Sequence, residues 1–374
     1  MSAPPPAPPR LLVLTGGLIH LVHQLAVVAS LPPVRAAAAA GEPAEIAVLI
    51  TGVLNRNATA LAALHSTIAT WFARLQADRS GPLAGLRLVR RAEELPPGPW
   101  SLICLNNQWQ GNQREWIERL AIPELLVCGD GLGLYYRCAR ELRALAPSLL
   151  GLPIREPGRT VHYRLSGRQP RWHRPPLPPG PVPLGLRREL FEGLVASLRQ
   201  AGEAELAPVR QAWATGRPLW LCSVPNLAHQ FPDAHIAPAV LRRWRRHLER
   251  KHGFDGGRDR LLLIDHPKAP PEGSFGPLQE DWLAGPLRSS LPLEVLIHLL
   301  QEAHPGAPVR LCGMTSALYG ARHLNGAAVV WLPALPLWHH NPLYRRRPLE
   351  FLHRWLRMGR MALLTAQANG PEAA

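Results

Sequence analysis

Four short groups of residues in this chain have the types and spacing that group transfer at a phosphate or a sugar needs. Asp130 stands between Gly129 and Gly131 after an apolar run, so no neighbouring Cβ crowds its carboxylate, which can accept a proton from a hydroxyl. His266 follows Leu261–Asp265 and precedes Pro267 and Lys268. An imidazole there can donate a proton to a departing oxygen near neutral pH, or hold a phosphate as a cation. Glu294, in Pro292-Leu293-Glu294, opens a helix where a carboxylate suits the dipole and can accept vicinal hydroxyls. Thr315 and Ser316 follow Gly313 and Met314 ahead of another helix, where hydroxyls and unpaired amides bind phosphate oxygens. Taken singly, each group also has an ordinary role as a helix cap or a strand end.

The elements that must position these groups read as strand and helix in alternation. Arg10–Leu14 is a strand that runs through Thr15-Gly16-Gly17 into an apolar helix, and the glycines let backbone amides approach a ligand. Strands follow at Ala44–Leu49, Leu86–Val89, Trp100–Leu105 and Glu124–Cys128, with helices at Ala58–Leu75 and Arg114–Leu120 between them. The polar loop after Leu105 carries Asn106, Asn107, Gln108, Trp109 and Gln110. From Pro147 to Gly185 the pattern breaks into Pro, Arg and Gly around one strand-like patch, Thr160–Leu165, and reads as a linker. A helix over 186–215 leads to a second set: strands at Pro218–Val224, Leu261–Asp265, Val309–Cys312 and Ala327–Leu332, and helices at Ala239–Lys251, Leu291–Glu302 and from Ser316. Such alternation predicts an α/β protein of two Rossmann-like domains. The expected division is residues 10–150 for the first domain, 151–185 for a linker, 186–342 for the second domain and 343–374 for a closing helix and tail.

Composition narrows the partners. The 374 residues carry a formal charge of +15, which calls for an anionic partner: nucleic acid, acidic lipid headgroups or a phosphate-bearing substrate. Aromatic residues are only 6% and form no nucleic-acid signature, so no specific nucleic acid is expected. The five cysteines lack Cys-x-x-Cys spacing and lie mostly in apolar runs, as small buried hydrophobes of a reducing compartment do. His20, His23, His339 and His340 have no carboxylate or cysteine company of the kind a metal site uses. Residues 11–31 are apolar enough to raise a signal peptide or membrane span, but Gly16, Gly17, His20, His23 and Gln24 interrupt the run, and a strand, turn and helix fit it better.

In order along the chain, Asp130-Gly131, His266-Pro267, Pro-x-Glu294 and Thr315-Ser316 resemble the short motifs of the bacterial sialyltransferases and polysialyltransferases. The resemblance implies the glycosyltransferase B architecture, two Rossmann-like domains facing across a cleft. It also implies roles. Asp130 would be the general base on the acceptor hydroxyl, and His266 the general acid or cation toward the phosphate of departing CMP. Thr315 and Ser316 would hold that phosphate and Glu294 the ribose hydroxyls, with Pro267, Lys268 and Gly313 beside the donor. Gly16, Gly17, Asn107, Gln108 and Gly131 are the candidates for acceptor or sugar contacts. Three departures stand out: Gly129 replaces the family's first acidic residue, Ile264 replaces a lysine that some members have two residues before the histidine, and the hydroxyl pair is Thr-Ser.

The expected activity is inverting, metal-independent transfer of sialic acid or a related nonulosonic acid from a CMP donor to a glycan of a surface polysaccharide or lipooligosaccharide. It needs no cofactor, since a nucleoside monophosphate leaves with less charge than a diphosphate. The expected setting is cytoplasmic, with peripheral contact to an anionic membrane through the basic helix Leu241–Lys251. The alternatives are a related enzyme with another donor, such as CMP-Kdo or a UDP-sugar, and a non-catalytic basic protein that binds nucleic acid or anionic lipid.

Overall fold

The computed structural model describes residues 7–51, 58–106, 111–120, 124–128, 159–163, 183–213, 218–224, 238–265, 274, 280–305, 309–315, 317–333 and 335–336. The chain divides into two compact units, Met1–Leu198 and Arg199–Ala374.

The first unit is built on a six-stranded parallel sheet of order β3-β2-β1-β4-β5-β6. The strands are β1 (Arg10–Thr15), β2 (Glu45–Ile50), β3 (Leu86–Val89), β4 (Leu102–Leu105), β5 (Glu124–Val127) and β6 (Arg159–His162). Apolar runs such as Leu11–Leu14 and Ile46–Ile50 form central strands because both faces of the sheet are covered, so alternation with polar residues is not required. Helix α1 (Leu18–Ser30) is buried from Leu21 to Ala29. It stops at Leu31 because Pro32 and Pro33 cannot continue its hydrogen bonding, and the same prolines open α2 (Pro32–Ala39). Helices α3 (Ala58–Leu75) and α4 (Gly111–Leu120) complete the set between strands. Ile117 of α4 packs with Leu12, Leu14, Ile103 and Leu105 on one face of the sheet. The strand-like patch near Thr160, read from sequence as part of a linker, is the edge strand β6 paired in parallel with β5.

Helix α5 (Leu184–Trp213) carries the division between the units. In the first unit its Gly193 lets the Trp71 indole nitrogen approach, at 3.2 Å from where a Cβ would stand.

The second unit holds a five-stranded parallel sheet of order β11-β10-β7-β8-β9, from β7 (Leu219–Ser223), β8 (Arg260–Asp265), β9 (Leu283–Arg288), β10 (Arg310–Gly313) and β11 (Ala328–Trp331). Three helices join them: α6 (Pro238–His252), α7 (Leu293–Ala303) and α8 (Ala317–Asn325). Val240, Leu241, Trp244 and Leu248 of α6 pack on Trp220, Cys222, Leu261, Leu263 and Cys312. The intervening residues of the strands, Leu221, Ser223, Leu262 and Leu311, therefore point to the opposite face. β9 was not expected from sequence: its Leu-Ala-Gly-Pro-Leu-Arg lacks an apolar run, and Pro286 is tolerated because the strand lies at the sheet edge.

Both sheets follow one winding rule. Strands are added outward on one side of the first strand, then the chain returns and adds outward on the other side, the doubly wound Rossmann order. Each unit thus has a point where the winding reverses, between β1 and β4 in the first and between β7 and β10 in the second. No single helix among the described residues is long and apolar enough to cross a membrane, and α1 with α2 passes that test only as a pair bent by 66°.

Candidate functional site

Open α/β sheets bind ligands outside the carboxyl ends of their strands where the winding reverses, because the loops there diverge and leave a crevice. In the second unit that place is the end of β7 and β10. Register sets Gly313 beside Ser223, and the Ser223 and Thr315 hydroxyl oxygens lie 2.7 Å apart. Ser223 is buried and Thr315 half-buried, so the hydroxyl pair runs from the interior outward. Gly313 is required here: its φ is +149°, and a Cβ would overlap the Ser223 carbonyl oxygen and lie 3.2 Å from the Ser223 nitrogen.

Glu294 lies in the first turn of α7, where its charge suits the helix dipole, yet it is only 5% exposed. Its carboxylate packs directly over Gly320 of α8, where any side chain would overlap it. The helix pair α7 and α8 therefore closes around the one acidic group that the sequence reading had singled out in this region.

Asp265 ends β8 immediately before His266. It is 2% exposed; one carboxylate oxygen accepts the Ser274 backbone N–H at 3.2 Å, and the other has no hydrogen-bond partner among the described residues. A buried carboxylate oxygen left bare is costly, so its position beside the candidate acid is notable.

At the reversal point of the first unit, polar side chains form a clasp beneath the Gly16-Gly17 turn. The buried Gln113 amide of α4 donates to Thr51 Oγ1 at 3.2 Å, and to Asn106 Oδ1 at the end of β4. Gln24 of α1 donates to the Leu14 carbonyl at 2.8 Å, and the Thr51 backbone N–H to the Thr15 carbonyl at 2.7 Å. The ends of β1, β2 and β4 are thereby tied together. Gly16 and Gly17 differ from Gly313 in that nothing among the described residues requires them to be glycine. Gly17 is extended, with φ 168°, and a Cβ at Gly16 would meet nothing nearer than His20 Nδ1 at 3.5 Å and the Asn106 carboxamide at 3.6 Å. The turn is bordered by an imidazole and a carboxamide, groups suited to hydroxyl-rich ligands.

Of the residues singled out in the sequence, Gly313 and Thr315 come together at one strand-end crevice, Glu294 lies at the start of α7, and Gly16 and Gly17 occupy the crevice of the other unit. Asp130, Gly131, His266, Pro267, Lys268, Ser316, Asn107 and Gln108 lie outside the described residues, as do the expected closing helix and tail at 343–374. Sequence reasoning named Asn106 in the polar loop but missed its partner Gln113, as well as Ser223 and the burial of Asp265. The signal for Ser223 was weak, since one small polar residue at the end of Leu-Trp-Leu-Cys-Ser is ordinary. Among the described residues no group of three or more His, Cys, Asp or Glu could hold a metal ion. Burial pushes the Cys104, Cys128 and Cys312 thiols well above their ordinary range, which leaves them poor nucleophiles.

No family model matches the sequence, and no curated protein does. Among solved structures, the S. aureus MnaA–UDP co-structure is similar with a TM-score of 0.37 and 10% identity, over 83% of this chain and 75% of that one.

Proposed function

We propose that the chain is an inverting, metal-independent glycosyltransferase that moves sialic acid or a related nonulosonic acid from a CMP donor to a glycan. The observation that supports the reading most is the coincidence of two independent markers in the second unit. The motif order assigns a nucleoside phosphate to Thr315, and Thr315 follows β10 at the point where the winding of the sheet reverses, the kind of place where open α/β sheets bind ligands. On this reading Thr315 and Ser316 hold the CMP phosphate, Lys268 adds charge there and Glu294 accepts the ribose hydroxyls. Asp130 takes the proton of the acceptor hydroxyl as it attacks the anomeric carbon, and His266 assists the departing phosphate. Charge develops on two oxygens at once, so a base on one face and a proton or cation on the other lower the same barrier.

Thermal melting with CMP, UDP and GDP tests the donor. CMP at 100 times its dissociation constant is expected to stabilise the protein by about 2.7 kcal/mol, with UDP and GDP inert. Stabilisation by UDP alone would move the assignment to a UDP-sugar enzyme of the same fold.

The strand-end turn of the first unit serves the sugar acceptor on this reading, with Gly16 set beside His20 and Asn106. Gly16→Ala is expected to leave the urea midpoint unchanged or slightly higher, since the methyl meets only ordinary contacts. The same methyl should raise the KM for acceptor roughly tenfold or more, by filling space a ring would use. A normal KM would remove Gly16 from the site.

Helix α6 supports peripheral contact with anionic lipid. Arg242, Arg243, Arg246 and Arg250 are exposed, and at 100° per residue they fall on an arc of about 100° opposite Leu241, Trp244 and Leu248. Among the described residues none of the four pairs with a carboxylate, whereas Arg245 is held by Glu249 at 2.7 Å. Changing all four to glutamine should weaken co-sedimentation with phosphatidylglycerol vesicles roughly 100-fold or more. Equal sedimentation of both proteins would refute the contact.

A further inference from the structure

The Ser223 and Thr315 hydroxyls come from neighbouring strands 92 positions apart in sequence, and they meet because β7 and β10 pair with Ser223 beside Gly313. Each hydroxyl carries one proton and two lone pairs. At 2.7 Å one proton is spent between the two oxygens, so the pair keeps one O–H to offer elsewhere. Neither hydroxyl has another hydrogen-bond partner among the described residues. Ser223 is 8% exposed and Thr315 is the more open of the two, so the arrangement that serves a ligand has Ser223 donating inward-to-outward to Thr315 Oγ1, with the Thr315 proton directed outward. A hydroxyl that already accepts a hydrogen bond is a stronger donor, because the two bonds polarise each other.

We propose that Ser223 is a positioning residue of a phosphate subsite: it donates to Thr315, which orients and strengthens the Thr315 hydroxyl as donor to a phosphoryl oxygen of a nucleoside monophosphate. The inference rests on the CMP-donor reading and adds a residue to it. Ser223 touches no ligand itself. Gly313 must remain a glycine for the two strand ends that carry the pair to approach.

Calorimetric titration of the purified full chain with CMP and with cytidine tests it. Ser223→Ala is expected to weaken CMP about tenfold and leave cytidine unchanged, because only the phosphate contact is lost. Thr315→Val should weaken CMP at least as much. The double variant should bind CMP no more weakly than Thr315→Val alone, since the serine acts only through the threonine. Equal losses for CMP and cytidine in Ser223→Ala would show a merely structural serine and overturn the proposal. Unchanged CMP binding in Ser223→Ala, with a loss in Thr315→Val, would overturn it while the donor reading stands. Absence of CMP binding by the unaltered protein would end both.

Discussion

Gly313→Ala is expected to destabilise the second unit by about 3 kcal/mol or more, a fall of roughly 6–12 °C in melting temperature. Two costs add. The residue has φ +149°, a region that side chains rarely adopt, and its Cβ would overlap the Ser223 carbonyl oxygen. Relief by movement is blocked, because β10 is hydrogen-bonded between β7 and β11 and the Gly313 carbonyl accepts the Leu332 N–H at 2.9 Å. Urea unfolding followed by tryptophan fluorescence reports on this core directly through the buried Trp220, Trp244 and Trp282. Gly16→Ala is the control, since it adds the same methyl at the other strand-end turn without an overlap. A midpoint for Gly313→Ala equal to that of the control would mean that the strands separate without cost, and the close approach on which the Ser223–Thr315 pair depends would be lost with it.

Those two glycines show how far a sequence can be read. The runs Leu11–Leu14 and Leu261–Ile264 announce buried parallel strands, because a sheet covered on both faces needs continuous apolar segments and each run is short and bounded by polar residues. Gly16-Gly17 and Gly313 look alike in sequence, each following a strand. Only register separates a glycine demanded by Ser223 from one that nothing among the described residues demands. Ser223 itself was illegible for the same reason, since its partner lies 92 residues away. β9 is not legible in the sequence because Leu283–Arg288 lacks an apolar run, and edge position, which permits its Pro286, is a property of the assembled sheet. Glu294 was visible as a first-turn acid, but its burial follows from α8 bringing Gly320 against it, a contact that no local pattern encodes.

Asp130→Asn and His266→Ala are each expected to lower the rate of sugar transfer about 10²–10⁴-fold while leaving the urea midpoint close to that of the unaltered protein, and Asp130→Asn should also leave CMP affinity unchanged. The two losses should differ in kind. Asp130 is proposed to act on the acceptor hydroxyl, so its amide variant should still hydrolyse the CMP-sugar slowly to water, a reaction in which cleavage of the bond to CMP leads. His266 is proposed to act on the departing phosphate, so its alanine variant should lose hydrolysis and transfer together. If the imidazole donates a proton, the hydrolysis rate of the unaltered protein should fall as pH rises through the histidine range, since the acid form is then depleted, and the alanine variant should lack that limb. A rate independent of pH there, with activity still lost in His266→Ala, would leave the histidine as a hydrogen-bond donor in its neutral form. Parallel loss of hydrolysis in Asp130→Asn would place the aspartate on the donor side and reverse the assignment of the two units. Full transfer in either variant would take that residue out of the chemistry, and Asp265, the buried carboxylate next to His266 in sequence with one oxygen unpaired among the described residues, would become the next group to replace.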